Sequence, residues 1–183
     1  MNTVDAVNKD QIALVRVLME KRYPRIYSDV WKIGLNMSLR ISDLLTIKYK
    51  DLDIPNRTLT LREAKTQKIK SIRLNKSAIQ AIMDRRRHHP EDVWLFQVHS
   101  NRANDAPISR ISVSRVFKEV GDSLKLNIGT HTMRKSRGKA MYDDGVPIEK
   151  IALVLNHSST AETLRYIGIT KEQTLQTFDD YEL

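Results

Sequence analysis

Residues 130–145 read THTMRKSRGKAMYDDG and residues 155–169 read LNHSSTAETLRYIGI, and these two stretches decide the fold assignment. They bring His131, Arg134, His157 and Tyr166 into one short part of the chain. A histidine transfers protons, an arginine binds a phosphate through two N–H groups, and a tyrosine hydroxyl attacks when a base and cations surround it. These are the side chains that cleavage of a phosphodiester without a metal requires.

The composition is that of a basic protein with enough apolar residues for one sizeable core. Of 183 residues, 40% are hydrophobic, and 31 Lys and Arg against 22 Asp and Glu give a net charge of +9. This excess of positive charge favours DNA or RNA over a membrane surface as the partner. Charge alone is equally compatible with a basic protein that binds none of these. The chain has no cysteine, which excludes disulfides, zinc–thiolate sites and thiol nucleophiles. The first residues, MNTVDAVNKDQIALV, lack the pattern of a signal peptide, so we expect a cytoplasmic protein.

Apolar residues at helical spacing predict a mainly helical chain. In the first segment Ile12, Val15 and Leu18 share one face, and Pro24 ends the run. The predicted helices cover residues 10–22, 27–35, 39–49, 77–87, 112–124, 131–143 and 148–155, and two more begin at Ser159 and Thr170.

Short β-branched or alternating stretches interrupt the helices at residues 52–54, 58–61 and 69–74. They predict a small antiparallel sheet of two or three strands, and therefore an α+β fold that is mainly α. We expect residues 1–183 to form a single domain, because no linker, repeat or low-complexity tract marks a second one.

Taken singly, the polar residues of interest have ordinary explanations. Arg40 begins an apolar helix, where an arginine is usually solvated or paired, and Lys65 lies at a hairpin tip, where lysines discourage edge pairing. A tyrosine such as Tyr166, before Gly168 at a helix end, is most often a half-buried anchor.

Their order along the chain removes this ambiguity. Arg40, a hairpin lysine, His-x-x-Arg, a second histidine and a tyrosine nine residues later resemble the catalytic domain of the tyrosine recombinases, the phage-integrase family. The matching stretches are GLNMSLRISDLLTIKYKDLDI, EAKTQKIKSIRL, VWLFQ, THTMRKSRGKAMYDDGVPIEKIALVLNHSS and TLRYIGIT, from about residue 33 to residue 170. The spacing of three separate segments agrees with the family, whereas a lone His-x-x-Arg would be weak.

Three positions depart from the family pattern. The family usually has glycine where this chain has Asn156 and commonly has glycine where it has Ser38, and Lys135 stands where histidine often follows the second arginine. No departure removes a catalytic group, although Asn156 bears on how the loop positions His157.

The resemblance implies a catalytic set of six residues: Arg40, Lys65, His131, Arg134, His157 and Tyr166. Tyr166 would attack the scissile phosphate and leave a 3′-phosphotyrosyl bond and a free 5′-hydroxyl. His131 would accept the tyrosine proton. Arg40 and Arg134, with His157, would stabilise the charge on the nonbridging oxygens.

The general acid and one supporting acidic residue are less directly specified. Lys65, Lys68 and Lys70 share the hairpin, and Lys65 is chosen because it precedes the turn, as the family's lysine does. Asp43 matches an acidic position of the family and is expected to orient an active-site cation or histidine; a simple helix pair is the alternative explanation. No cofactor, metal or ATP is implied.

The resemblance also implies partners. These are double-stranded DNA, three further copies in a homo-tetramer on synapsed DNA sites, and accessory DNA-bending proteins, with a location at the nucleoid and no membrane. An N-terminal core-binding domain, which many members carry, is expected to be absent. The tail from about residue 170 to residue 183 carries an apolar stripe of Leu175, Phe178 and Tyr181, which either docks on a neighbouring subunit or packs on its own domain.

The sequence therefore indicates a site-specific DNA recombinase or integrase. Two alternatives stay open: a nicking-closing enzyme of the type IB topoisomerase kind, and a DNA-binding regulator of the same fold that has lost the reaction. The intact set of six residues argues against the regulator.

Overall fold

The computed structural model describes residues 4–100 and 105–180. Nine helices and three strands follow one another in this part of the chain. The helices are α1 Lys9–Arg22, α2 Arg25–Met37, α3 Ile41–Leu45, α4 Lys76–His88, α5 Arg110–Leu124, α6 Thr132–Asp143, α7 Ile148–Leu155, α8 Thr160–Ile167 and α9 Lys171–Asp180. The strands are β1 Leu52–Asp53, β2 Thr58–Arg62 and β3 Ile69–Arg73. The predicted mainly helical α+β fold is confirmed.

The three strands form one antiparallel sheet in the order β1-β2-β3. Leu59 pairs with Ile72 at the centre of the β2–β3 hairpin, and Leu52 pairs with Leu59 on the other side. The side chain of Leu59 is fully buried, whereas Ile69 near the hairpin turn is exposed. The sheet therefore rests on the core by its inner face, and most of the turn that follows the buried Glu63, residues 64–68, is exposed.

Helix α2 lies at the centre of the main hydrophobic core and packs against α1, α4 and α6. Its Trp31 is fully buried and meets Phe117 of α5 edge to face, with ring centroids 5.3 Å apart. A Cβ atom at Gly34 would lie 2.4 Å from Sδ of Met133, so a larger residue here would force the buried Met133 side chain to move, and glycine lets α2 and α6 approach closely. This approach brings the start of α6 beside the end of α2.

One predicted helix is wrong in extent. Residues 39–49 were expected to be a single helix, but α3 ends at Leu45 and a separate 3-10 turn covers Tyr49–Asp51. Between them the backbone pairs with a distant segment: the Leu95 N–H donates to the Ile47 carbonyl at 2.9 Å, and the Tyr49 N–H donates to the Val93 carbonyl at 3.0 Å. These long-range bonds replace the bonds that would have continued the helix.

Helices α7 and α8 pack on each other around a smaller cluster of Ile151, Leu155 and Ile167. Gly138 of α6 faces this cluster, where an added Cβ would lie 2.8 Å from Ile167. Among the described residues no helix is both long enough and apolar enough to cross a membrane.

Candidate active site

Four segments of the chain meet at one place on the surface. They are the turn between α2 and α3, the β2–β3 hairpin, the first turn of α6, and the α7–α8 loop with α8 itself. All six predicted residues come from these segments, and five of them lie together, namely Arg40, His131, Arg134, His157 and Tyr166, as the contacts below establish. The sixth, Lys65, lies at the exposed hairpin turn.

Arg134 is the buried cation at the centre of the site, with 2% of its surface exposed. Its Nη1 donates to the Ser38 carbonyl at 2.5 Å, and its Nη2 donates to the Leu155 carbonyl. A guanidinium has five N–H donors in a fixed plane, so these two bonds orient the group and leave donors for an anion. Burial lowers the pKa of Arg134, and nearby Arg40 acts in the same direction.

Arg40 precedes α3 and has 18% of its side chain exposed. Its Nη1 lies 3.0 Å from Oε1 of Glu63, whose side chain is completely buried. The carboxylate therefore fixes one edge of the guanidinium beside Arg134, where like charges would otherwise repel.

Glu63 belongs to the site although its place in the sequence did not predict it. Besides Arg40, its carboxylate accepts hydrogen bonds from the Thr66 hydroxyl at 2.7 Å and from the Asn156 amide at 2.6 Å. Burial raises the pKa of Glu63, but Thr66, Arg40 and Asn156 together hold it below its usual value, so the group is an anion at neutral pH. Its position directly after β2 and before the hairpin lysines was the only available signal.

Two of the three departures from the family pattern have a common structural explanation. Ser38 has a φ of 56° and Asn156 a φ of 50°, both in the left-handed region. Glycine adopts this conformation without strain, and asparagine is among the residues that tolerate it best. Each residue ends its helix, α2 or α7, and thereby turns the chain into the site.

His131 and Tyr166 form the pair from which the chemistry would start. Nδ1 of His131 lies 3.4 Å from the Tyr166 hydroxyl. His131 is exposed at the surface, but partial desolvation of its ring, then Arg134, Arg110 and Arg40, lower the pKa of His131, so its ring is neutral at neutral pH and can accept a proton. Burial raises the pKa of Tyr166, while Arg134 and Arg40 favour its anion.

His157 contacts the ring of the same tyrosine. Its ring meets the Tyr166 ring edge to face, with centroids 4.8 Å apart, and its Nδ1 lies 3.1 Å from the Thr163 hydroxyl. The contact with Thr163 leaves Nε2 as the free nitrogen of the ring. Burial lowers the pKa of His157, partly offset by Glu162.

The three hairpin lysines have different surroundings. Lys65 and Lys68 are exposed, and Lys65 is close enough to help lower the pKa of Glu162 at the start of α8, after the hydrogen bonds from Ser158. Lys70 is half-buried and its Nζ donates to the Val154 carbonyl at 2.8 Å. Burial, followed by the charge of Arg134, lowers the pKa of Lys70.

Asp43 contacts neither a cation nor a histidine at hydrogen-bond distance among the described residues. Instead its buried Oδ1 accepts the Ala64 backbone N–H at 2.9 Å. The residue therefore anchors the hairpin directly before Lys65, which differs from the role expected from the sequence.

Comparison with known proteins gives the family of this chain. The model of the phage integrase family matches residues 10–173, which is most of the chain. The chain belongs to the phage integrase family. A probable integrase/recombinase of Bacillus subtilis, YoeC, is 37% identical over 142 residues, which cover 77% of this chain and 76% of YoeC.

Solved integrase and recombinase structures share the fold. The crystal structure of XerA recombinase has a TM-score of 0.75 at 15% identity, covering 97% of this chain and 65% of that one. The integrase of transposon Tn1549, solved with a circular intermediate DNA, has a TM-score of 0.72 at 18% identity, covering 97% and 66%. The chain spans about half the length of two other curated integrases or recombinases, 53% and 46%.

Proposed function

We propose that this chain provides the catalytic domain of a site-specific DNA recombinase, which breaks and rejoins DNA through a 3′-phosphotyrosyl intermediate. The observation that carries the proposal is the 3.4 Å contact between the Tyr166 hydroxyl and a neutral His131 beside two fixed guanidinium groups. Membership of the phage integrase family supports it.

In the first step Tyr166 attacks the scissile phosphorus. The new bond joins the tyrosine oxygen to phosphorus, the bond to the 5′-oxygen breaks, and His131 takes the phenol proton. A phenol with an ordinary pKa of about 10 is protonated at neutral pH, so the adjacent base is necessary. The phosphate ester keeps the energy of the broken bond, and attack by a 5′-hydroxyl of another strand reverses the step.

Three groups would stabilise the negative charge that develops on the nonbridging oxygens. Arg134 and Arg40 offer N–H groups held in place by carbonyls and by Glu63. The Thr163 hydroxyl donates to the Ser159 carbonyl, so Nδ1–H of His157 donates to Thr163, and Nε2 would serve as the third donor once the ring takes up a proton beside the phosphate. Donors that are oriented before the reaction lower its barrier because no reorganisation is needed when the charge appears.

Lys65 is proposed to protonate the departing 5′-oxygen. Lys65 lies on the turn of the hairpin, and the hydrogen bond from the Ala64 N–H to Asp43 fixes the backbone directly before it. DNA bound in the site would therefore lie next to the Lys65 side chain. Lys70, which is bonded to the Val154 carbonyl, ties the same hairpin to the loop that carries His157.

The proposed partner is double-stranded DNA, in keeping with a net charge of +9 and with the DNA bound in the Tn1549 integrase structure. Exchange of two duplexes requires four cuts, so we propose a homo-tetramer on synapsed sites. Leu175 and Phe178 of α9 are exposed, which favours docking on a neighbouring subunit over packing on the same domain; Tyr181 lies outside the described residues. Accessory DNA-bending proteins, and a cytoplasmic location at the nucleoid, complete the proposal.

The experiment offers the protein a pool of nicked duplexes with randomised arms. We expect covalent adducts that, after addition of a duplex with a free 5′-hydroxyl, transfer their strand to it. A nicking-closing enzyme would be favoured if the adducts only rejoin the strand that was cut, and if the protein relaxes supercoiled plasmids whatever their sequence. Binding of the duplexes without formation of any covalent adduct would favour a DNA-binding regulator that has lost the reaction.

A further inference from the structure

We propose that His89, Asp92 and His99 form a binding site for one zinc ion or a similar transition-metal ion. The site lies where α4 ends, in a part of the fold that contributes no residue to the candidate active site. One ligand atom from each residue lies within 4.8 Å of the other two. Two imidazole nitrogens and a carboxylate oxygen make a donor set that zinc accepts, with water as the fourth ligand.

A tight turn after α4 holds two of the three ligands. His89 ends the helix, and the Asp92 N–H donates to the His89 carbonyl at 3.3 Å. Arg86 donates to the Asp92 carbonyl at 2.6 Å, which fixes the backbone of the turn. The segment that leads to His99 is held by Gln97, whose Oε1 accepts the Val93 N–H at 2.9 Å.

The Asp92 carboxylate is the strongest argument for a cation. Its side chain is 4% exposed, and its only ion-pair partner in the described part of the chain is His99, whose Nε2 lies 3.1 Å from Oδ1. Both oxygens of this buried carboxylate lie against the same ring nitrogen, Nε2 of His99, with the second oxygen at 3.2 Å. A bound divalent ion would neutralise the charge, as a buried carboxylate requires.

The two rings need only a small movement to bind. His89 and His99 are exposed and stacked, with centroids 4.2 Å apart and planes 18° from parallel. Tetrahedral zinc with bonds of about 2.1 Å needs donors roughly 3.4 Å apart. Nε2 of His99 already lies 3.1 Å from the Asp92 carboxylate, and rotation about the side-chain bonds of the exposed His89 would close the remaining gap. The ion would then tie the end of α4 to the loop before α5.

The test uses the purified chain, treated with EDTA and dialysed, and titrated with zinc chloride at pH 7.5. We expect one ion per chain by calorimetry, and a rise in Tm of roughly 5 to 10 °C when zinc is a hundredfold above its Kd. His99→Gln and His89→Gln should each lose at least tenfold in affinity. The matched control is His88→Gln: His88 is an exposed neighbour whose Nδ1 lies 2.7 Å from the Asp84 carbonyl, and it should bind zinc as the unaltered chain does.

Because protons compete for the imidazoles, binding should also weaken at pH 5.5. The proposal is overturned if the unaltered chain takes up no zinc, if His99→Gln binds as well as the unaltered chain, or if His88→Gln loses as much affinity. None of these outcomes depends on DNA cleavage.

Discussion

The amide of Asn156 donates a 2.6 Å hydrogen bond to the buried carboxylate of Glu63, a residue 93 positions earlier in the chain. The same carboxylate pairs with Arg40, so one anion joins the hairpin, the first arginine and the loop of His157. Asn156 stands where the family usually has glycine, and its left-handed backbone explains why. The asparagine keeps the required conformation and adds a contact that glycine lacks.

Replacing Asn156 separates these two contributions. Asn156→Gly and Asn156→Ala both lose the hydrogen bond, but only alanine has a Cβ that opposes a φ of 50°. We expect Asn156→Ala to have a free energy of unfolding lower than that of Asn156→Gly by about 1 to 2 kcal/mol. Urea denaturation of the two variants measures the difference, and equal stabilities would refute the assignment of strain to this residue.

Removing either guanidinium should slow cleavage without preventing DNA binding. Arg40→Ala and Arg134→Ala should each reduce the rate of adduct formation by on the order of a hundredfold or more, as loss of a fixed oxyanion donor does. Arg115→Ala is the control, since Arg115 is 70% exposed and pairs only with Glu119 among the described residues. Arg134 also holds two carbonyls, so a thermal melt should accompany its rate. A folded variant of either arginine with a near-normal rate would remove that residue from the site.

A modified leaving group tests the general acid. A 5′-bridging phosphorothiolate leaves as a thiolate and needs little protonation, so Lys65→Ala should be slow on normal DNA and largely restored on this substrate. Lys68→Ala, from an equally exposed neighbour, should behave normally on both. Lys70→Ala should be slowed equally on both, because its bond to the Val154 carbonyl positions the hairpin. Rescue of Lys68→Ala or Lys70→Ala instead would move the acid to that lysine.

The pH dependence of cleavage should reflect the lowered pKa of His131. The neutral ring is the proton acceptor. Partial burial and nearby cations lower the pKa of this ring, so it stays neutral at pH values below the ordinary histidine pKa of about 6.5. We therefore expect the cleavage rate to persist at pH 6.5 and to fall only at more acidic pH. Arg110→Ala removes one of these cations, so it should raise the pKa and shift the acid limb to higher pH. An acid limb above pH 6.5 in the unaltered chain, or a shift in the opposite direction, would contradict this role.

The sequence predicted the helices whose apolar positions recur within one turn, and the strands of the hairpin, because those patterns are local. It failed at residues 39–49, where α3 stops so that Ile47 and Tyr49 can pair with the segment around Leu95. Local spacing contains no information on a partner nearly fifty residues away.

The candidate site shows the same division. The five residues that lie together were predicted because the motif fixes their types and order, and the fold brings them into contact. Glu63 and the zinc ligands His89, Asp92 and His99 were missed because their environment comes from tertiary contacts. A lone glutamate after a strand, or histidines ten positions apart, is an ordinary surface pattern until the fold buries a carboxylate between them.

The most direct test of the proposed chemistry locates the DNA on the protein. Adducts trapped on nicked duplexes are digested with trypsin and nuclease, and the peptide that carries a phosphonucleotide is sequenced by mass spectrometry. We predict attachment at Tyr166, no adduct for Tyr166→Phe despite retained DNA binding, and a normal adduct for Tyr142→Phe, whose tyrosine lies exposed at the end of α6. A phosphonucleotide on any other residue, or an undiminished adduct from Tyr166→Phe, would contradict the account.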